Sequence, residues 1–412
     1  MNLRSYILVT GAYWGFTLTD GALRMLVLLH FFNLGYSPVR LAFLFLFYEF
    51  FGIVTNLLGG WLASQMGLRV TLLAGLVLQV ISLGLLALLQ PEWSEALSVA
   101  YVMGTQALSG IAKDLTKMSS KSAIKVLVPD DAKGTLFRWV AILTGSKNAL
   151  KGVGFFLGGV LLSVAGYKGA LWLMAGGLLV VWLGSWLSLP PHIGRAKGTV
   201  KFSQLFSKTR EINVLSAARL FLFGARDIWF VVGVPIFLRG TLGWSFSHVG
   251  TFMALWVIGY GLVQSAAPAA FRGKSPSGRT AAVLAFMLSG VAAAIPLGLM
   301  AGWPPEVVIV GGLALFGVVF AFNSAVHSYL VLDYTDGDKV ALNVGFYYMA
   351  NAGGRLVGCL LSGLLFQWGG LYACLWGTLV FSVLAAVIAL GLPRRPVHPE
   401  LLAAAEVRTS GE

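Results

Sequence analysis

Twelve apolar stretches, each close to the roughly 20 residues an α-helix needs to cross a bilayer, follow one another along almost the whole chain. They are 5–32, 38–64, 70–89, 97–116, 138–164, 169–189, 213–237, 246–270, 280–300, 306–331, 341–366 and 369–392. In hydrocarbon every backbone polar group must be satisfied internally, so such runs leave an all-α membrane protein as the expected fold. Composition agrees. The chain is 58% hydrophobic and 11% charged, where soluble domains hold about 25% charged residues. The first run starts almost at Met1 and lacks a small-residue cleavage signature, so it reads as a retained span and not a removable signal peptide.

The formal charge is +13, from 29 Lys and Arg against 16 Asp and Glu. In a soluble protein that balance would suggest a nucleic-acid partner. With both termini on the cytoplasmic side, however, twenty basic residues fall in cytoplasmic segments and three, Arg40, Lys168 and Arg239, fall outside. The positive-inside rule accounts for that asymmetry. No nucleic acid is needed, and the expected setting is the cell inner membrane, crossed many times by a monomer. The hydrophilic stretch "PPHIGRAKGTVKFSQLFSKTREIN" divides the spans six and six. The expected organisation is a six-helix bundle over 1–189, a cytoplasmic linker over 190–212, a second bundle over 213–392 and a cytoplasmic tail over 393–412.

The two bundles resemble each other. "NALKGVGFFLGGVLL" in the fifth span aligns with "NAGGRLVGCLLSGLL" in the eleventh, setting Lys151 opposite Arg355, Gly154 opposite Gly358 and Gly159 opposite Gly363. "LTDGALRMLVLLHFFNLGYS" and "GARDIWFVVGVPIFLRGTLGWS" set Asp20 against Asp227. Parallel six-span repeats are a transporter architecture whose substrate site lies near the bilayer midplane, between the halves.

Six basic residues remain inside the spans: Arg24, Lys147, Lys151, Arg219, Arg226 and Arg355. Each would cost about 2.5–3.5 kcal/mol at mid-bilayer. They are therefore expected to face acids, one another or a water-filled cavity. The intramembrane acids are Asp20, Glu49 and Asp227. Asp20 and Arg24 lie one turn apart on a shared face and are expected to pair. Asp227 should find its partner on another helix, since Arg226 points about 100° away. Even with every acid paired, three cations are left over, and a polyanionic ligand would complete the balance. Guanidinium groups suit oxyanions because paired N–H donors match two oxygens. The six cations are thus the candidate substrate-binding residues, and Asp20, Glu49 and Asp227 the candidate proton-coupling residues. For a single residue the competing explanation is snorkelling to an interface. Lys147, nearest a span end, is the most exposed to it. His30 and His327 read as hydrogen-bonded side chains and not as relays.

Lys113, Lys117, Lys121 and Lys125 recur every four residues and read as a stripe on anionic lipid headgroups. "GVGFFLGG" follows no strand, so its glycines are expected to serve helix packing and not dinucleotide binding. No nucleophile–base arrangement, metal-ligand spacing or cofactor motif is present, so neither catalytic residues nor cofactors are expected. The two cysteines, Cys359 and Cys374, exclude a disulfide framework.

"YWGFTLTDGALRMLVLLHFFNLGYSP", "FLFYEFFGIVTNLLGGWL", "QALSGIAKDLTKMSSKSAIKVLVP" and "LTGSKNALKGVGFFLGGVLL" resemble the organoarsenical efflux permeases of the major facilitator superfamily, the ArsJ family. "GGWLASQMGLRV" resembles the superfamily loop pattern G-x-L-A-D-R-x-G-R-R at Gly60, Leu62, Ala63, Gly67 and Arg69, with Ser64 and Gln65 replacing the usual acid and arginine. "GFFLGG" resembles an antiporter pattern with Phe155 in place of proline. The resemblance implies the major facilitator fold and alternating access. It also implies export of 1-arseno-3-phosphoglycerate, formed from arsenate by a glyceraldehyde-3-phosphate dehydrogenase that acts as functional partner, and hence arsenate resistance. Two other readings stand beside it: an exporter or exchanger of another organophosphate or organic anion, and a membrane-embedded enzyme, which the missing catalytic cluster disfavours.

Overall fold

A computed structural model describes residues 3–66, 68–127, 133–190, 209–271, 276–334 and 340–393. Most of the linker and tail, and side chains at 59–68 and 121–145, lie outside that description. With them go the loop glycines Gly60 and Gly67, Lys121 and Lys125.

The first half contains α1 (Leu3–Asn33), α2 (Pro38–Phe43), α3 (Leu46–Met66), α4 (Leu68–Ala87), α5 (Glu95–Leu127) and α6 (Lys133–Ser188). The second half begins with α7 (Arg210–Ile228), which runs through a π-helical turn (Trp229–Gly233), α8 (Val234–Ile236) and another π-helical turn (Phe237–Thr241). Then come α9 (Phe246–Ala270), α10 (Gly278–Met300), α11 (Pro305–Asp333) and α12 (Val340–Ala389). The described residues contain no strand. The fold is all-α, as expected.

Among the described residues, nine helical runs are long and apolar enough to cross a membrane. Two of them, Ser146–Ser188 and Gly345–Ala389, are about twice the needed length. Each breaks at a glycine. Gly166 (φ 66°, ψ −179°) interrupts α6, and Gly370 (φ 61°, ψ −153°) interrupts α12. Side chains with a Cβ rarely adopt such backbone angles. Gly166 and Gly370 are separated by the same offset that aligns Lys151 with Arg355, so both halves turn back at equivalent points. Counting each broken run twice and adding α5 restores the expected twelve crossings. Helix α5 is less apolar than most of the others, since Glu95, Gln106 and several hydroxyl side chains lie along it before the charged residues Lys113, Asp114 and Lys117, yet it packs against α3 and α4. It also runs to Leu127, well past the expected end at 116.

The π-helical turn after α7 has a local cause. Pro235 cannot donate a backbone hydrogen bond, and the widened turn frees the amides of Val232 and Gly233. Both donate to Ser362 Oγ on α12, at 3.1 and 3.2 Å.

Glycines set the helix approaches. A Cβ on Gly154 or Gly158 of α6 would meet the α1 backbone at Leu18 and Ala22, and one on Gly159 would meet Phe246 of α9. In the second half, Gly354 and Gly358 of α12 press on Leu220 and Gly224 of α7, and Gly363 presses on Pro38 of α2. Each of these helices is therefore wedged between the first helix of its own half and a helix of the other. The glycines of "GFFLGG" pack helices, as small residues do in membranes.

Several apolar clusters fill the interior. Leu26, Phe31, Leu41 and Phe45 belong to one, Met25, Trp229, Trp256 and Phe316 to another, and Val9 and Phe16 to a third nearer the start of α1.

Replacing Gly354 by Val should force α12 away from Leu220, at about the 1–3 kcal/mol typical of overpacking. Gly259→Ala, where an added Cβ meets nothing within 4 Å, should have little effect. Thermal unfolding of the purified protein in detergent measures both.

Candidate functional site

Between the halves lies a cavity of about 170 Å³. Helix α1 lines it with Asp20 and Arg24, α5 with Lys113, Asp114 and Lys117, and α6 with Lys147 and Lys151. From the other half come Arg219 and Arg226 of α7, Tyr260 and Gln264 of α9, and Asn351 and Arg355 of α12. All six sequence-nominated cations line this one space.

Their pairing differs from expectation. Arg24 does not bond Asp20 one turn away; its Nη2 donates to Glu49 Oε1 at 2.6 Å. Arg355 Nη2 donates to the same oxygen, also at 2.6 Å. Glu49 is fully buried, and a buried anion without cations is far costlier than a partly hydrated one, so both guanidiniums converge there. Glu49 is accordingly not the solitary carboxyl its sequence surroundings suggest. Asp20 instead receives Lys151 Nζ at 3.3 Å and the Tyr48 hydroxyl at 2.5 Å.

Asp227 does find a partner on another helix: Arg355 Nε donates to its Oδ2 at 3.2 Å. It also binds its neighbour Arg226, which reaches Oδ1 through Nε at 2.6 Å and Nη2 at 2.5 Å. The long arginine side chain folds back and overcomes the angular offset of adjacent residues. The two repeats thus carry the same ion pair, Asp20 with Lys151 in one half and Asp227 with Arg355 in the other.

Lys113 and Lys117 are the main correction. The headgroup stripe places them at the membrane surface, yet their side chains are 14% and 13% exposed and line the cavity. Lys113 Nζ stands 4.0 Å from the centre of the Tyr48 ring, 3.7 Å from Asp114 Oδ2 and 3.9 Å from Glu49 Oε2. Lys117 Nζ donates to Asp114 Oδ1 and to Asn56 Oδ1, both at 2.6 Å. Because α5 continues to Leu127, these residues lie inside the bundle and not at its rim. Asp114, fully buried, was absent from the sequence-derived acids because lysines flank it near a span end. A single acid between lysines at i−1 and i+3 was the available signal.

Among the described residues, eight basic side chains line the cavity. Four acids, Asp20, Glu49, Asp114 and Asp227, stand among or behind them. Even with Lys147 set aside, seven cations face four anions. Aromatic faces take up part of the excess. Arg219 lies 3.8 Å from the Phe223 ring centre and Arg226 4.9 Å from it. His30, stacked on Tyr167 at 4.0 Å, and His327 do not line the cavity. Neither cysteine lines the cavity: Cys359 Sγ contacts the Ala42 carbonyl and Cys374 Sγ that of Ser362, each at 3.5 Å.

A family model described as Major Facilitator Superfamily matches residues 6–231 and again residues 215–410. A search of curated proteins finds no match to the chain.

Glu49→Gln would leave Arg24 and Arg355 buried without their shared anion. Breaking such a pair typically costs about 3–5 kcal/mol, so a large drop in melting temperature is expected. Asp20→Asn, which strands one lysine at the cavity edge, should cost less. Parallel thermal unfolding of the two variants ranks them.

Proposed function

The chain belongs to the major facilitator superfamily, a family of secondary transporters, and from that premise we propose that it exports an organoarsenical anion, 1-arseno-3-phosphoglycerate. The observation that carries the reading is the surplus of cations around one cavity between the halves. A cargo bearing phosphate and arsenate supplies the missing negative charge. The resemblance of four long sequence runs to organoarsenical efflux permeases supplies the chemical identity. In this reading a glyceraldehyde-3-phosphate dehydrogenase makes the cargo in the cytoplasm, and its removal across the inner membrane confers arsenate resistance.

The mechanism follows from the ion pairs. Arg226 and Arg355 are held by Asp227, and Arg24 and Arg355 by Glu49. An entering oxyanion competes with those carboxylates for guanidinium donors, at about twice the strength of neutral hydrogen bonds. The halves then rock around the occupied cavity, exposing it to the other side. Proton coupling centres on Asp20, since it lines the cavity whereas Glu49 and Asp227 stand behind it. A proton on Asp20 would release Lys151 for the cargo.

A second reading has its own observation. Both thiols are away from the cavity, so the lining holds only hard donors, which suit phosphate as well as arsenate. Exchange of an organophosphate against phosphate would use the same residues.

In cells supplied with arsenate and the dehydrogenase, the protein should lower intracellular arsenic. Arg355→Gln and Arg24→Gln should abolish that effect while protein remains in the membrane; full resistance in both would remove these arginines from the site. In inverted vesicles, an uncoupler should stop transport if protons drive it. Transport that survives the uncoupler but requires phosphate on the opposite side would establish exchange instead.

A further inference from the structure

The second-half wall of the cavity holds a cluster that the ion-pair network leaves aside. Arg219 is only 4% exposed, and its hydrogen-bond partners are neutral: Nε donates to Asn351 Oδ1 at 2.9 Å, and Nη1 to Ser324 Oγ at 3.1 Å and to the Ser324 carbonyl at 3.4 Å. The Tyr260 hydroxyl and Gln264 Nε2 point to the same Ser324 Oγ, at 3.1 and 3.3 Å. Ser324 can accept these donors between its hydroxyl and its carbonyl. A guanidinium carries five N–H donors and an amide nitrogen two. Among the described residues Arg219 Nη2 and the second Gln264 amide proton find no acceptor, and the guanidinium has no carboxylate partner. Unmet donors in a buried place are costly. Arg219, Tyr260 and Gln264 line the cavity, whereas Ser324 stands behind them, so the surplus faces the open space. Across the interface, Asn148 of α6 donates to Gln264 Oε1 at 3.1 Å, which turns the Gln264 amide nitrogen towards the cluster.

We propose that Arg219, Tyr260 and Gln264 form a second oxyanion pole, separate from the Arg226–Arg355 pole, so that the cavity selects molecules with two oxyanion groups on a short carbon chain. The proposal rests on the reading of the cavity as an anion passage and assigns its two ends. Arg219 and Arg226 are seven residues apart on α7, about 10 Å of helix rise, and both side chains lean towards the Phe223 ring, at 3.8 and 4.9 Å, so their guanidiniums are closer together than the backbone rise. A gap of that order suits two tetrahedral oxyanions joined by a short carbon chain, one at each pole.

The test is binding to the full-length protein in nanodiscs, measured by titration calorimetry, with propane-1,3-diol bisphosphate and propyl phosphate as probes. Wild type should bind the bisphosphate at least about tenfold more tightly, the gain from one additional well-met charged group. Arg219→Gln and, more gently, Tyr260→Phe should collapse that preference by weakening the bisphosphate far more than propyl phosphate. Arg355→Gln should weaken both probes. Wild type that binds the two probes alike would overturn the second pole alone. So would variants that keep the preference, or that lose both probes equally, as a merely structural role predicts. Wild type that binds neither probe would overturn the anion-passage reading together with the pole.

Discussion

One carboxylate holds the centre of this protein together. Glu49, on α3 and fully buried, accepts a hydrogen bond from Arg24 of its own half and from Arg355 of the other, both on the same oxygen. Neither guanidinium could sit there without it, because bringing like charges together out of water costs several kcal/mol per ion. The contact joins residues more than three hundred positions apart. It therefore links the two bundles across their interface.

The knot does not balance the charge. Arg24, Arg226 and Arg355 share Glu49 and Asp227, while Lys113 and Lys117 share Asp114. Aromatic rings at Tyr48 and Phe223 offer electron-rich faces to the remainder. Such contacts are worth about 0.5–2 kcal/mol each, less than an ion pair and without neutralising anything. The lining of the cavity is thus left with a surplus of positive charge.

The internal repeat gives the site its geometry. Asp20 with Lys151 and Asp227 with Arg355 occupy matching places, on the first and fifth crossings of each half. The glycines that follow them bring those crossings into backbone contact. Close approach is a precondition for the ion pairs, because a lysine or arginine on one helix must reach a carboxylate on the next. The halves differ where the symmetry fails: the first contributes Glu49, Lys113 and Asp114, and the second contributes the neutral donor cluster around Arg219. The asymmetry gives the cavity two unlike walls.

Apolar run length settled the all-α membrane fold from sequence alone, since lipid leaves the backbone no other way to satisfy its hydrogen bonds. The same penalty on charge picked out the six cations now found around one cavity, and the shared glycine spacing disclosed the repeat. Which acid meets which base was not legible. Spacing along one helix ranked Arg24 as the partner of Asp20, whereas burial of Glu49 on a facing helix drew Arg24 away. Lys113 and Lys117 read as a surface stripe, and Asp114 was passed over between them, because a charged stretch at the end of an apolar run reads as a surface. Only the packing of α5 against α3 and α4 carried them inside. Local sequence fixes how much charge must be hidden from lipid; the partners depend on contacts between helices distant in the chain, and these exist only once the bundle is assembled.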